Sequence, residues 1–168
     1  MLFRSGRPLG PEPVAAWRRG RFAAPRTRDA LLEAGVLAET LETATSWSNL
    51  TALHAAVGAA LTGSLTAAGT PPVVACHVSH VYPSGASLYY TVVAAQAADP
   101  AAQWAAAKAA ASDAITSHGG TISHHHAVGR DHLPWMRAEI GELGIEVLRS
   151  VKATLDPAGV LNPGKLIP

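Results

Sequence analysis

Three histidines stand side by side in Ser123-His124-His125-His126-Ala127-Val128-Gly129, in a chain with eight histidines in all. Imidazole titrates near neutral pH, so such a run suits proton transfer or anion binding. Metal binding is the rival chemistry, and a structural or surface cluster is the plain alternative. On an extended segment neighbouring side chains point to opposite faces. One site would then take His124 and His126 but not easily His125. The usual metal spacings, HExxH or paired CxxC, are absent, so no metal site is expected. The run is internal and short, unlike a purification tag.

A second candidate lies in His77-Val78-Ser79-His80-Val81 and Gly85-Ala86-Ser87-Leu88-Tyr89-Tyr90. These read as two strands joined by the turn Tyr82-Pro83-Ser84-Gly85. On the second strand Ser87, Tyr89 and Thr91 share one face, and Leu88, Tyr90 and Val92 the other. The apolar face packs on helices and the polar face is free to line a pocket. A four-residue loop sets Val78 opposite Tyr89, and a three-residue loop sets Ser79 there. That one-residue slip decides whether His77 or His80 faces the pocket. Taken alone, Tyr89 reads first as an ordinary half-buried strand tyrosine.

Lesser candidates follow. Arg26, Arg28 and Asp29 suit a salt-bridged helix face, and Asp131 suits the N-cap of the last helix. Arg130 is either an anion holder or solvated. Cys76 reads as a small buried strand residue. Asn162 and Lys165 either bond a ligand or close a turn. There is no Gly-rich phosphate loop and no Gly-x-Ser-x-Gly elbow.

The elements that must position these groups alternate regularly. Segment 1–13 is irregular, as if truncated. Two short helices are expected over Val14–Arg18 and Thr27–Ala34, the second closed by Gly35 at C′. A strand follows over Val36–Thr43. Trp47, Leu50, Leu53, Val57, Leu61 and Leu65 then mark an amphipathic helix capped by Thr45 or Ser46. Strands Val73–Val81 and Ala86–Ala95 come next. Asp99-Pro100 starts another helix whose face holds Trp104, Ala107, Ala111 and Ile115. Gly119-Gly120 ends it, and Thr121–His124 forms a last short strand. This order predicts an α+β fold: a ferredoxin-like split βαβ antiparallel sheet with helices on one face. A C-terminal helical segment carries Met136, Ile140, Leu143, Val147 and Val151, interrupted by Gly141 and Gly144. The expected division is 14–125 for a cap or substrate domain and 126–168 for the C-terminal helix and tail.

Composition bounds the rest. The 168 residues are 48% hydrophobic, with the core expected from Leu, Val, Ile and the four Trp. Thirteen basic residues face twelve acidic ones, so no nucleic-acid partner is expected. Cys76 is the sole cysteine, which leaves no internal disulfide and suggests a cytoplasmic protein. No uninterrupted run of 18 apolar residues marks a membrane span.

Taken together, the His run, the Gly85–Tyr89 strand and the closing Leu161-Asn162-Pro163-Gly164-Lys165 resemble the C-terminal region of FAD-linked oxidases of the vanillyl-alcohol oxidase superfamily. Within it they are most like the alkyldihydroxyacetonephosphate (alkylglycerone-phosphate) synthases. Leu41 through Trp47 and Arg21-Phe22 through Arg28-Asp29 fit the same pattern, so the likeness spans residues 10–168. It implies FAD, bound mainly by an N-terminal domain that this chain lacks. It implies catalytic roles for Tyr89, as acid/base, and for His124, His125 and His126 beside the flavin ring. It implies cofactor contacts from His126, Asn162 and Lys165. It also implies flavin use without net redox change: a fatty acid leaves dihydroxyacetone phosphate and a fatty alcohol replaces it.

Two departures stand out. Ala127 occupies a position where relatives usually carry Gly. Relatives that oxidise 2-hydroxy acids carry a metal-binding Gly-Glu-His-Gly. Here His125 replaces that Glu and Tyr89 stands where a ligand His would be, which argues against that metal site. The partners implied are a small-molecule or lipid-like substrate and the FAD-binding domain, with a homodimer as one option. Two other readings stay open: an FAD-dependent oxidase or dehydrogenase of an alcohol or hydroxy acid, and a stand-alone ligand-binding or oligomerisation module without flavin. This region alone is expected to be inactive.

Overall fold

The computed structural model describes residues 7–168. Of the irregular start expected over 1–13, residues 1–6 lie outside the described residues, and helix α1 (Glu12–Gly20) already begins at Glu12. Helix α2 (Ala24–Glu33) starts before Thr27 because Pro25 sits in its first turn, where a missing N–H breaks no helical bond. Gly35 follows with φ +77°, the left-handed conformation that closes a helix.

Strands β1 (Val36–Ser46), β2 (Val73–Val81) and β3 (Gly85–Ala95) form one antiparallel sheet in the order β1-β3-β2. Helices α3 (Leu50–Ala67) and α4 (Pro100–Ser117) cover one face. A 3-10 turn (Leu133–Trp135) leads into α5 (Met136–Leu155). The fold is α+β with the ferredoxin-like order.

Alternation along the strands builds the core. Leu41, Leu88, Tyr90 and Val92 meet Leu53, Val57, Leu61 and Leu65 of α3 and Ala107, Ala111 and Ile115 of α4. Each fully buried leucine contributes about 1.5–3 kcal/mol. α3 is long and apolar enough to cross a bilayer, but its four buried residues face this core. The tryptophans contribute less than expected. Trp17 and Trp47 are exposed, and Trp104 and Trp135 only border the core.

Several local expectations are corrected. β1 runs on to Ser46, so Thr45 and Ser46 cannot cap α3, which begins after Asn49 without a side-chain cap. Trp47 is not on the helix; its indole N–H donates to the Tyr82 carbonyl at 3.1 Å. Residues 121–124 form no regular strand. Thr121 N donates to Ala44 O at 3.0 Å and His124 N to Glu42 O at 3.2 Å, and His125 then turns away with φ +61°. The segment still covers the edge of β1, and Arg28 Nε caps the other half through Ala38 O at 3.2 Å. Asp99 does cap α4, accepting from Ala102 N at 3.0 Å.

α5 departs most. It kinks at Gly141, with φ +70°. Only Met136 and Ile145 are buried, while Leu143 is 74% exposed and Val147 54%. Apart from Met136, the expected apolar stripe therefore faces outward.

Candidate functional site

The face of the sheet away from α3 and α4 carries polar side chains. Strand register sets Glu42 of β1 and His77 of β2 on either side of Tyr89 of β3. Neither loop length considered above gives this pairing. A bulge between Val78 and Val81 shifts the strand end and carries His80 to the Glu42 side. His80 N donates to Ser87 Oγ at 3.1 Å, and its Nδ1 lies 3.4 Å from Glu42 Oε1. His77 is exposed and takes no part in the contacts around Glu42. Gly85 permits the tight hairpin end, since a Cβ there would lie 2.0 Å from the Thr45 carbonyl oxygen.

Glu42 is the hub. It is only 5% exposed. His124 Nδ1 lies 3.1 Å from Oε1, and His126 Nε2 lies 3.3 Å from Oε2. Burial pushes the Glu42 carboxyl up. Hydrogen bonds from Ser87 and His124, with the charges of His124 and His126, outweigh it and hold the carboxyl below its ordinary range. His124 Nε2 reaches Tyr82 Oη at 3.2 Å. The His126 ring meets the Tyr89 ring edge-on, with centroids 5.6 Å apart.

His125 does not behave as an extended-strand residue. Because residues 124–127 turn, with φ +61° at His125 and +62° at Ala127, His125 swings to the same side as His124. It stacks on His80 at 4.5 Å and meets His124 at 4.1 Å. The structure thus brings His125 together with His124 and His80, where the sequence pattern paired His124 with His126 and set His125 aside.

Two concavities flank this cluster. An apolar groove of about 600 Å³ runs beside Tyr89 and Thr91, walled by Pro25 and Leu31 of α2. A polar cleft of about 380 Å³ lies between His126, Arg130, His132, Lys108 and Lys165. The tail is pinned there by Leu166 N to Gly129 O at 3.1 Å. Lys165 lines the cleft. Asn162 is exposed, with φ +45°, and does not. Asp131 is not a helix cap: its carboxylate accepts from Lys108 Nζ at 2.8 Å, which holds it below the usual range. His132 is buried, with Nδ1 3.1 Å from Ala127 O; burial, then Lys108, push its imidazole down.

Two further expectations resolve here. Arg28 pairs with Glu39 of β1 rather than within its own helix. Cys76 is half-buried, and burial pushes its thiol up against a hydrogen bond with Tyr90. Glu42, Tyr82 and His132 were missed as site residues, and His80 stood only as one of two outcomes of the hairpin register. Glu42 alone had a readable signal, since alternation along 36–43 places it on the polar face with Thr40.

The donor set fits a flavin that gains negative charge on reduction. Imidazoles and cations line the cleft, and the one acid there, Asp131, is paired with Lys108.

Residues 11–166 match the family described as FAD linked oxidases, C-terminal domain. The chain is 36% identical over 161 residues to the alkyldihydroxyacetonephosphate synthase of Dictyostelium discoideum, covering 95% of this chain and 26% of that protein. It is 30% identical to the synthase of Trypanosoma brucei brucei over the same shares. A solved alkyldihydroxyacetonephosphate synthase structure superposes with a TM-score of 0.64 at 30% identity, covering 96% of this chain and 26% of that one. The chain thus spans about a quarter of the length of the relatives it matches.

Proposed function

The chain belongs to the family of C-terminal domains of FAD-linked oxidases, and from that premise we propose that it forms the substrate-side wall of a flavoenzyme of the alkylglycerone-phosphate synthase type. The flavin in this reading is held mainly by a domain outside this chain, as the length of the relatives suggests. One observation carries the proposal: a buried carboxylate, Glu42, gathers His124 and His126 beside Tyr89 at the edge of an apolar groove.

That arrangement suits exchange of an acyl chain for an alkyl chain on a phosphorylated three-carbon unit. The groove seats an alkyl chain and excludes water. Tyr89, between groove and imidazoles, moves a proton at the substrate. As the alcohol oxygen bonds to carbon its hydroxyl proton must leave, and the acyl group departs as a carboxylate. His126 presents an imidazole donor to developing negative charge, and Glu42 fixes its orientation and charge. His124 holds Tyr82, and His125 closes the outer side of the cluster. His126 and Lys165 face the cofactor side, with Asn162 in the tail that supports Lys165. FAD, when bound, supplies a ring able to take up and return an electron pair at the reacting carbon.

The test is the complete enzyme carrying Tyr89→Phe or His126→Ala. Each is expected to lose activity by about 10²-fold or more while the protein stays folded and flavin-loaded. Near-normal rates in both would remove these roles. The 168-residue chain alone is expected to purify without flavin absorbance, and a yellow preparation would contradict the division of labour.

A further inference from the structure

We propose that Glu139, in the first turn of α5, is a positioning residue whose carboxylate sets where the His run meets Glu42. It acts through the backbone of residues 121–124, and the proposal rests on the roles given above to Glu42, Tyr89 and His126. Glu139 Oε1 accepts from Thr121 Oγ1 at 2.6 Å, and Oε2 accepts from Ile122 N at 3.1 Å.

The edge of the sheet explains why an acid stands there. Thr121 N and His124 N donate to Ala44 O and Glu42 O of β1. Thr121 O accepts from Thr43 Oγ1 at 2.6 Å. Between them, the Ile122 N–H has no carbonyl on β1, while its side chain is buried in the core. A backbone N–H so placed needs a partner, and among the described residues no further strand runs outside this segment. A side chain must supply it, and a carboxylate, with two oxygens, takes both donors at once.

The clamp is held from both sides. Met136, one turn before Glu139, is buried, and the Trp135 indole N–H donates to Asp113 Oδ1 of α4 at 2.7 Å. The kink at Gly141 comes later, so Glu139 belongs to the anchored first turn. On the sheet side Gly120 lets the segment lie close, since a Cβ there would stand 2.8 Å from Leu53 Cδ2 and from Thr43 Oγ1. Residues 121 and 122 are thus fixed between β1 and α5, and His124 inherits that position. A small shift at Ile122 moves the His124 imidazole off Glu42 Oε1, and with it the carboxylate that orients His126.

The test pairs Glu139→Ala with Glu139→Gln. A glutamine keeps the geometry: its Oε1 accepts from Ile122 N and its Nε2 donates to Thr121 Oγ1, whose own proton turns to Ser123 O, 3.4 Å away. In the complete enzyme, Glu139→Ala should lower kcat about tenfold or more per folded, flavin-loaded molecule, with KM within about twofold of the parent. Glu139→Gln should retain most of the parent rate. In the purified 168-residue chain, Glu139→Ala should speed amide hydrogen exchange at Ile122 and at His124 about tenfold relative to Tyr90. A merely structural clamp would expose Ile122 and lower stability, but leave His124 and the rate per folded molecule as they were. Thr121→Val removes one arm of the clamp at little change in volume, and is read the same way if Glu139→Ala misfolds. An unchanged kcat or His124 exchange in Glu139→Ala, or an equal loss in Glu139→Gln, would overturn the assignment. A parent enzyme that makes no ether product would remove the reaction proposed above, while His124 exchange still decides the role of Glu139.

Discussion

The two faces of the sheet are made by the same strands, one residue apart. Tyr89 and Tyr90 show the contrast most directly. Tyr90 is fully buried among leucines, donates its hydroxyl to the His54 carbonyl at 3.2 Å, and burial pushes its phenol far up. Tyr89 is half-buried, borders an apolar groove and meets His126. The helix side holds Leu41, Leu88 and Val92 in a dry core. The open side holds Glu42 and Ser87, also buried, but among imidazoles. Burial alone therefore does not separate structural from chemical residues. What a buried group touches does.

The contrast breaks or sharpens under substitution. Tyr89→Phe in the complete enzyme should cost about 10²–10⁴ in rate with an unchanged unfolding midpoint. Leu61→Ala, on the other face, should lose about 2–5 kcal/mol of stability with the rate per folded molecule retained. If both changes altered rate and stability together, the two faces would not be separate. Glu42→Gln tests the hub. The folded carboxyl titrates below its ordinary value, so its stabilisation is full above about pH 4.3 and is lost as pH falls through the lowered folded value. The stability gap between parent and Glu42→Gln should shrink as pH falls below about 4.3. A constant gap in urea midpoints would remove the charge network. Ala127→Gly should have the smallest effect. Ala127 holds φ +62°, a conformation that disfavours a Cβ by about 1–2 kcal/mol. The glycine variant should be slightly more stable, and a clear loss in the thermal midpoint would show that contacts of the Ala127 methyl outweigh the strain.

Much of the helix side was legible in the amino-acid sequence. The period of Leu53, Val57, Leu61 and Leu65 and the Asp99-Pro100 cap are local signals, and both describe the structure. The open side was legible only by residue type. Tyr89 and the His run stood out, but what joins them is long-range. Glu42 meets His124 across 82 positions, through a strand pairing that no local pattern encodes. The bulge after Val78 and the left-handed turn at His125 escaped for the same reason. His125 carries none of the glycine that usually flags φ > 0. The stripe of α5 shows the opposite failure. Its period is helical, yet nothing in the described residues covers Leu143 or Val147.

The most direct test of the central claim is a substrate comparison on the complete enzyme. It should be given acyl-dihydroxyacetone phosphate with a fatty alcohol, and separately a panel of hydroxy acids and phenols. The account predicts an ether product and a released fatty acid from the first, with no net reduction of the flavin. Rapid flavin reduction by a hydroxy acid or phenol, with no ether product, would contradict it.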